Sequence, residues 1–531
     1  MKISIIIFSF FVYALCASAQ EQKPMLSLTF DEETVDFAKV NHDLDAYEYS
    51  HAGFAQAFSK GIRGKALDLT SDVALRIPSI LPINQIPDYA KSFSVSVWVK
   101  TKPNARQGTV IMSNKKSTDR SASGWTVGTN DLGAWRFHLS DGKNTFDYEP
   151  TPQRQRINDG KWHHIAFSLD VDKAELWLYF DGRNVAIYNV AGLKSVESKL
   201  RTVVGGSDEY TDWGSRGEWT AFNGLVDEVQ FWNIPVTAAH VASVYRSLCP
   251  ETCADETSLE PTKLKVQVWN IWHGGHRFGK HVGVERVIDV LKKENADVIG
   301  LIETYGSGEI IADSLGYYFY LISSNLSIMS RYPIERTIKV FDPFFSGGAL
   351  LNVGTKKVAF FDIWLNYAPD ECELFGGPKV LKEFLKKEES TRQKEMKTIL
   401  KELNPYITNA NSVPVIMVGD YNSGSHLDWT EKQKEQHFGL VIDWQTSKLM
   451  NHAGFIDSFR KMNPDPLKDP GFTWSPLINH ATEHQNCVRD RIDFIYYKGE
   501  NLLPYRSRSI EDHPNFWPSD HGSVVSWFYL K

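Results

Sequence analysis

The residues best suited to chemistry in this sequence are polar side chains that follow or interrupt short apolar runs. They are Asn270 in VQVWNI, Glu303 in VIGLIET, Asp420 and Asn422 in VIMVGDYN, Asp493 in RIDFIYY, and Asp520 and His521 in PSDH. Runs of apolar and β-branched residues predict buried strands, so we expect each of these side chains at or near a strand end. Carboxylates gathered there would repel one another unless their oxygens shared a divalent cation. The set therefore indicates metal-assisted hydrolysis of a phosphate ester.

Length and the first residues limit what the chain can be. With 531 residues, of which 42% are hydrophobic and 13% aromatic, we expect two domains with large cores. Residues 1–19 carry Lys2, an apolar run and Ala17-Ser18-Ala19, which predicts a secretory signal cut after Ala19. A lipoprotein anchor at Cys16 is disfavoured by the bulk of Leu15. No later stretch reaches the roughly 20 apolar residues of a membrane helix, so we expect a secreted or periplasmic protein.

Removal of the signal would leave four cysteines in an oxidising compartment. Four cysteines allow three pairings. We favour Cys249 with Cys253 and Cys372 with Cys487. A zinc site is the competing interpretation, but the spacing lacks a Cys-x-x-Cys pair with nearby histidines.

Residues 20–248 predict an all-β domain, because short alternating segments such as FSVSVWVK and AELWLYFDGR are separated by Gly, Asn and Asp turns. LSLTFDEE, DGKWHHIAFSLD and NGLVDEVQFWN resemble laminin-G or concanavalin A-like jelly-roll domains. That resemblance implies a glycan or protein ligand and a candidate Ca²⁺ site at Asp31 and Asp227. Alternatively, both carboxylates cap turns on a spacer that binds nothing. Residues 249–262 are polar and acidic and predict a linker.

Residues 263–531 alternate apolar β-type runs with stretches of helical spacing. Val284, Val287, Ile288 and Leu291 would share one face of a helix, and a second helical pattern runs from Pro378 to Leu403. Strands that alternate with helices favour a layered α/β domain over a second sandwich of sheets.

WNI, IET, GDYN, RIDFIYY and SDH, in this order, resemble the endonuclease/exonuclease/phosphatase (DNase I-like) superfamily. The resemblance covers almost all of 263–531 and implies a four-layer α/β sandwich that uses Mg²⁺ or Mn²⁺. By this resemblance Glu303, Asn270 and Asp520 would supply oxygen ligands to the metal.

The same resemblance implies roles for four further residues. His521 would act as general base or electrostatic partner, and Asp493 would hold its other ring nitrogen. Asp420 would orient or deprotonate the attacking water, and the Asn422 amide would donate to a phosphate oxygen.

One strand departs from the superfamily pattern. In FFDIWLNYAPDE the superfamily places a His or a Tyr, and these patterns fall on Asn366 and Tyr367 respectively. We expect only one of the two to enter the site, because adjacent strand residues face opposite sides. Asn366 in that place would hold phosphate with a neutral amide, which weakens the analogy with double-strand DNases.

Substrate contacts are expected from neighbouring loops. The loop IWHGGHRFGKH is cationic, and His276 and Arg277 are its favoured phosphate ligands. Asn325 and Trp474 are further candidates to line the cleft, as are His426 and Trp429, although burial in the core is the default for a tryptophan.

Charge gives little guidance about the substrate. Residues 263–531 contain 32 Lys and Arg against 33 Asp and Glu, a net charge of 32 − 33 = −1, and only the His/Arg loop suggests a surface for nucleic acid. The jelly-roll domain favours an extracellular glycan, a lipid head group or a similar phosphodiester. The alternatives are an extracellular nuclease, and a glycan-binding protein whose hydrolase domain is inactive.

Overall fold

The computed structural model describes residues 22–31, 58–70, 75–77, 88–105, 107–116, 119–200, 202–207, 220–250, 261–477 and 487–531. The predicted signal peptide and most of the predicted linker lie outside these residues, and both stay predictions. Of the helices formed by the described residues, none has the length and apolar character needed to cross a bilayer.

The first domain is built from short strands followed by one helix. The strands are β1 (Leu26–Leu28), β2 (Phe58–Lys60), β3 (Lys65–Asp68), β4 (Leu75–Ile77), β5 (Phe93–Lys100), β6 (Thr109–Ser113), β7 (Gly124–Thr129), β8 (Trp135–Ser140), β9 (Thr145–Tyr148), β10 (Trp162–Asp170), β11 (Glu175–Phe180), β12 (Arg183–Asn189), β13 (Thr202–Val204), β14 (Thr220–Ala221) and β15 (Leu225–Trp232), and the helix is α1 (Ala238–Leu248).

These strands form two sheets that face each other. One has the order β2-β3-β15-β5-β10-β11-β12 with β1 on β15, and the other has the order β4-β13-β6-β7-β8-β9 with β14 on β6. Alternate residues of β5, such as Val95 and Val97, pack with Trp125, Phe137 and Phe167 in the core between the sheets. The alternation in FSVSVWVK therefore arises because one side of this strand must be apolar. The predicted jelly-roll sandwich is confirmed.

The second domain alternates strands and helices. Its strands are β16 (Lys263–Asn270), β17 (Val298–Ile302), β18 (Tyr318–Leu321), β19 (Leu326–Ser330), β20 (Ile334–Lys339), β21 (Ser346–Val353), β22 (Lys356–Trp364), β23 (Val415–Asp420), β24 (Ile456–Asp457), β25 (Asp493–Lys498), β26 (Leu502–Ile510) and β27 (Ser523–Leu530). Its helices are α2 (Val282–Glu294), α3 (Gly308–Leu315), α4 (Pro378–Ser390), α5 (Arg392–Glu402), α6 (Asn404–Thr408), α7 (Gln445–His452) and α8 (Ser458–Met462), with 3₁₀ turns at His273–Phe278, Glu371–Gly376 and Lys434–Gln436.

Two sheets form the centre of this domain, in the orders β18-β19-β17-β16-β27-β26 and β20-β21-β22-β23-β25-β24. Val268, Ile302, Phe360 and Val418 belong to the apolar core between them. Helix α2 packs on the outside of the first sheet and α5 on the outside of the second. These are the four layers that the sequence predicted.

One predicted helical stretch is divided in the structure. The pattern from Pro378 to Leu403 forms α4 and α5, which are separated at Thr391. The Thr391 hydroxyl donates to the Ala368 carbonyl at 3.0 Å, and the buried Arg392 guanidinium donates to the carbonyls of Pro369 and Asn422. The break thus coincides with contacts that hold the loops around Asp420.

The two domains are joined by hydrogen bonds. Strand β12 pairs in parallel with β18 and links the first sheets of the two domains. Gln155 Nε2 donates to Asp313 Oδ1 at 2.8 Å, and Asn189 Nδ2 donates to the Ile322 carbonyl at 3.0 Å. The predicted Cys372–Cys487 disulfide is present. Cys253 lies outside the described residues, so its pairing with Cys249 stays a prediction.

Candidate active site

The register of the second sheet brings two carboxylates together against an imidazole. Asp420 ends β23, Asp493 begins β25, and the two residues pair directly across the antiparallel strands. His521 Nδ1 lies 2.9 Å from Asp493 Oδ2, and its Nε2 lies 3.9 Å from Asp420 Oδ2. All three side chains are buried. One ring nitrogen is therefore held by an aspartate while the other faces a second acid.

Burial and neighbouring charges strongly shift the pKa values of His521 and Asp420. Burial alone lowers the pKa of His521, but the carboxylates of Asp493 and Asp420 outweigh burial and raise that pKa to about 10. Burial raises the pKa of Asp420 to about 7, although the His521 charge lowers it. The structure thus favours an imidazolium at neutral pH, stabilised by the acids around it.

Asn270 and Glu303 lie next to this pair on the other sheet. Asn270 ends β16, and its Nδ2 lies 3.3 Å from Glu303 Oε1 and 3.2 Å from Asp420 Oδ2. The His273 backbone N–H donates to Glu303 Oε2 at 2.8 Å. Glu303 has a φ of 56°, and Asn422 and Tyr305 are also left-handed at 47° and 33°. Such strained backbone in non-glycine residues is typical of sites whose geometry serves function.

Asp520 lies beside the same residues. The neighbouring Ser519 hydroxyl donates to the Asn270 carbonyl at 2.7 Å. Burial, with a smaller contribution from the charge of Glu303, raises the pKa of Asp520 to about 6, although the His521 charge lowers it. Among the described residues, Asp520 Oδ1 and Asp493 Oδ1 are buried without a hydrogen-bond partner. Unpartnered anionic oxygens at one place suit a hard divalent cation.

A second group of possible metal ligands lies beside the predicted one and shares no residue with it. Ligand atoms of Asp420, Asp493 and His521 lie within 4.8 Å of one another, so this group can also hold a metal. We favour the predicted oxygen set of Glu303, Asn270 and Asp520 for Mg²⁺ or Mn²⁺, because His521 Nδ1 already pairs with Asp493. Both assignments stay predictions.

Asn422 makes hydrogen bonds that stabilise the loop after β23. Its backbone N–H donates to Asp420 Oδ1 at 2.9 Å, and its Nδ2 donates to the Leu365 carbonyl at 2.9 Å. This arrangement fixes the carboxylate of Asp420. The predicted contact of Asn422 with a phosphate oxygen stays a prediction.

Asn366 and Tyr367 both follow the last residue of β22. Asn366 Oδ1 accepts from the Ala368 N–H at 2.9 Å, and Tyr367 is 66% exposed. The residue of this strand that lies beside Asp420 is Trp364, which the sequence analysis did not single out. An indole therefore occupies the position on this strand that pairs with Asp420.

The cationic loop lies close to Glu303, as the sequence suggested. Arg277 is exposed, its Nη2 lies 3.0 Å from His273 Nε2, and its guanidinium stands over the Trp272 ring at 5.1 Å. Burial lowers the pKa of His276, and nearby Lys280 lowers it further. The His273 and Gly274 backbone N–H groups both contact Glu303, and the exposed His273 side chain joins Arg277 as a candidate phosphate ligand.

The other predicted cleft residues have structural contacts. Asn325 is buried, and its Oδ1 accepts from the Glu303 N–H at 3.2 Å. Trp474 forms backbone bridges with Asp490 and His521. Trp429 is buried and donates to Asp490 Oδ2 at 2.6 Å, which agrees with the default core interpretation. His426 Nδ1 lies 2.7 Å from the Ser447 hydroxyl.

One buried acid was missed by the sequence analysis. Asp362 lies in β22 on the face toward the first sheet, and neither of its carboxylate oxygens has a hydrogen-bond partner among the described residues. Burial raises its pKa well above the ordinary value, and the charges of Asp420 and Asp493 raise it further. The signal was an aspartate inside the apolar run FFDIW.

The candidate Ca²⁺ residues lie at one turn of the first domain. Asp31 Oδ1 accepts from the Lys65 N–H at 3.1 Å, and Asp227 Oδ2 accepts from the Ile62 N–H at 2.9 Å. Burial, with a smaller contribution from the charge of Glu228, raises the pKa of Asp227 to about 7, although backbone N–H groups that donate to it lower the pKa. Both carboxylates therefore cap this turn. The concentration of acidic oxygens is also compatible with calcium, which stays a prediction.

Two family models match the chain. The concanavalin A-like lectin/glucanases superfamily matches residues 77–242, and the endonuclease/exonuclease/phosphatase family matches residues 268–521. A curated relative, the uncharacterized Caenorhabditis elegans protein F14F9.5, is 26% identical over 298 residues, which is 52% of this chain and 94% of the relative.

Solved structures with a similar fold each cover about half of the chain. Truncated TDP2 from Caenorhabditis elegans is 17% identical, with 50% of this chain and 98% of that chain covered and a TM-score of 0.34. An AP endonuclease from Archaeoglobus fulgidus is 16% identical, with 50% and 99% covered and a TM-score of 0.36. By the two family models, the chain carries a concanavalin A-like domain over residues 77–242, followed by a domain of the endonuclease/exonuclease/phosphatase family, whose members hydrolyse phosphoesters, over residues 268–521.

Proposed function

We propose that this protein is a divalent-metal-dependent phosphodiester hydrolase that acts outside the cytoplasm. The observation that carries the proposal is the buried His521–Asp493 pair, which faces Asp420 and lies beside the oxygens of Glu303 and Asp520. A spacer or a pure binding domain has no need for four buried or half-buried acids around one imidazole, because their mutual repulsion costs stability.

Each side chain has a task that its contacts support. Asp493 fixes the ring of His521 and favours its cationic form, so that Nε2 can donate to a phosphate oxygen or to the leaving group. Asp420, whose pKa is raised to about 7, accepts a proton from the attacking water. Arg277 and His273 hold the remaining negative charge of the phosphate at the rim of the site.

A cation held by Glu303, Asp520 and Asn270 would neutralise phosphate charge and stabilise the leaving oxygen. The unpartnered Oδ1 atoms of Asp520 and Asp493 support this assignment, because each would be satisfied by a cation or by a water bound to it.

The concanavalin A-like domain favours a substrate in which the phosphodiester belongs to an extracellular glycan or a lipid head group. An extracellular nuclease is the second candidate. The exposed aromatic side chains Phe344 and Tyr367 favour it, because they contact Trp364, the neighbour of Asp420 on the adjacent strand. A glycan-binding protein with an inactive hydrolase domain is the third, and hydrolysis of any phosphodiester would exclude it.

The test is hydrolysis of bis(p-nitrophenyl) phosphate with Mg²⁺ or Mn²⁺ and with EDTA. We expect turnover that EDTA abolishes and that the metal restores. Glu303→Gln should lower kcat by several orders of magnitude, whereas the matched change Glu389→Gln on the exposed side of α4 should not. Turnover that survives EDTA, or a Glu303→Gln variant with normal activity, would refute the proposed site. A panel of DNA, RNA, sphingomyelin, phosphoinositides and phosphorylated glycans then identifies the ester.

Export rests on the signal sequence of residues 1–19. Terminal sequencing of the protein recovered from the cell exterior should begin at Gln20. Recovery of chains that retain Met1 inside the cell would contradict export.

A further inference from the structure

Four aromatic residues form a continuous surface at one side of the candidate active site. We call Phe344, Phe345, Trp364 and Tyr367 the aromatic wall. Phe345 stacks on Trp364 with ring centroids 5.7 Å apart and an angle of 28°. Phe344 meets Trp364 edge-on at 5.6 Å, and Tyr367 lies 6.3 Å from it. Trp364 is therefore the residue that joins the other three rings.

The position of Trp364 places this wall at the reacting groups. Trp364 and Asp420 are direct neighbours across the parallel pair of β22 and β23, so their side chains leave the sheet on the same face. Phe360, four residues earlier on β22, belongs to the core between the two sheets, and Trp364 packs against that core. The indole thus stands on the inner face, at the end of the strand where the site lies.

A second connection ties the wall to Glu303. Asn325 Oδ1 accepts from the Glu303 N–H at 3.2 Å, and Asn325 Nδ2 donates to the Phe344 carbonyl at 3.0 Å. The backbone N–H of Trp364 donates to the Phe345 carbonyl at 2.8 Å. The buried amide of Asn325 therefore fixes the separation between the candidate metal ligand and the rings.

Two rings of the aromatic wall are exposed to solvent and are not packed into the apolar core of the domain. Tyr367 is 66% exposed and Phe344 is 36% exposed. A ligand that covers such rings removes their apolar surface from water, and this burial favours binding. Flat rings bind best to other flat rings, in stacked or edge-on arrangements.

The polar groups beside the wall are poorly placed to bind a sugar. The amides of Asn325 and Asn422 and the amide oxygen of Asn366 already make hydrogen bonds within the protein. A pyranose would need such groups for its hydroxyls, because buried hydroxyls without partners are costly. A planar ring with few hydrogen-bonding requirements fits this surface better.

We propose that the aromatic wall binds a flat aromatic ring carried by an ester group of the substrate, with Trp364 as the residue that determines this preference. The phosphate would lie at Asp420 and His521, and the ring would stack beside it on Trp364, Phe344 and Tyr367. A nucleobase and a simple aryl group share this chemistry. The inference rests on the proposed function, because it assigns the ester group of the same site.

Calorimetric binding in Mg²⁺ tests the proposal with matched ligand pairs. Thymidine 5′-monophosphate and ribose 5-phosphate compare a phosphorylated pentose with and without a base, while phenyl phosphate and cyclohexyl phosphate compare a flat ring with a saturated one. We expect the flat-ring member of each pair to bind about tenfold more tightly, as stacking on aromatic side chains predicts. A larger gain for thymidine than for phenyl identifies the source as a nucleobase, and equal gains identify it as an aryl group.

Variants of the exposed rings test which residues are responsible. Tyr367→Leu and Phe344→Leu should each reduce the preference for thymidine 5′-monophosphate at least threefold, and Trp364→Leu should abolish it, with partial rescue by Trp364→Phe. Tyr505→Leu, which removes a ring 37% exposed on β26, is the control and should retain the full preference. If the Tyr367→Leu and Phe344→Leu variants both keep the full preference for thymidine 5′-monophosphate over ribose 5-phosphate, the proposal is overturned.

Two other ligand classes are distinguishable outcomes. Tighter binding of a hexose 1-phosphate than of thymidine 5′-monophosphate would overturn the proposal in favour of a sugar. Cosedimentation with phosphatidylcholine vesicles that Phe344→Leu abolishes would overturn it in favour of a lipid surface. Failure of the proposed function would be recognised separately, since it would abolish hydrolysis of bis(p-nitrophenyl) phosphate, whereas failure of this inference would leave hydrolysis intact and remove the ring preference in binding.

Discussion

Replacement of Asp493 by Asn tests the central contact of the candidate site. The change keeps the shape of the side chain, but it removes the negative charge 2.9 Å from His521 Nδ1. The His521 pKa of about 10, against an ordinary 6.5, corresponds to a preference of about 5 kcal/mol for the imidazolium, since each pKa unit is worth about 1.4 kcal/mol.

Asp493 is the largest of the charges that raise this pKa. If about half of the preference comes from Asp493, the variant loses about 2–3 kcal/mol, which is a rate loss of about 30- to 150-fold. The loss should grow with pH. A histidine with a raised pKa carries its charge below that pKa, so the wild-type ring stays charged to high pH while the ring of the variant loses its proton near neutrality.

The assay is kcat for bis(p-nitrophenyl) phosphate between pH 6 and pH 9, together with the ¹⁵N chemical shifts of His521 in the metal-free protein. The ratio of wild-type to variant rates should widen as pH rises, and the His521 titration should move to lower pH in Asp493→Asn. Asp443→Asn, which changes an exposed carboxylate on the same domain, should alter neither. A His521 titration that is the same in both proteins would refute the assigned electrostatics.

The remaining predictions concern stability. Cys372→Ser opens a covalent loop of 115 residues, so we expect the free energy of unfolding in denaturant to fall by about 2–4 kcal/mol. A change below about 0.5 kcal/mol, which is roughly the experimental error, would contradict this. Asp313→Ala removes one of the two acceptors of Gln155 Nε2 at the domain contact, the other being the Tyr148 hydroxyl, and also the acceptor of the Thr151 N–H, so unfolding should become easier by about 1–3 kcal/mol; unchanged stability would show that water replaces the carboxylate. Asp141 is stabilised as a carboxylate by backbone and amide N–H groups that outweigh burial and lower its pKa to about 2. Asp141→Asn should therefore cost about 1 kcal/mol above pH 4, with the difference from wild type disappearing as pH falls through 2; a difference that persists in acid would assign it to shape rather than charge.

Local patterns in the sequence predicted much of the architecture. The alternation in FSVSVWVK predicted a strand with one apolar face, and β5 has that face in the core. The helical spacing of Val284, Val287 and Leu291 predicted a helix, and all three are buried in α2. Such patterns are readable because a strand repeats every two residues and a helix every 3.6, whatever the rest of the chain does.

The sequence singled out Glu303, Asp420, Asp493, Asp520 and His521 as candidates, because polar residues next to apolar runs are conspicuous, but it missed Asp362 inside FFDIW. It did not identify Trp364, whose importance comes only from its pairing with Asp420 on another strand. Asn325 was expected at the surface of the cleft, yet it is buried and joins Glu303 to the aromatic wall.

The sequence by itself therefore determined the two domains and their layers, and it supplied the candidate site residues whose roles stay predictions. Only the tertiary structure decided that Asp420 lies opposite Asp493 and that β12 pairs with β18. The physical reason is that periodicity is a property of neighbouring residues, whereas register depends on how segments far apart in the chain pack their side chains together.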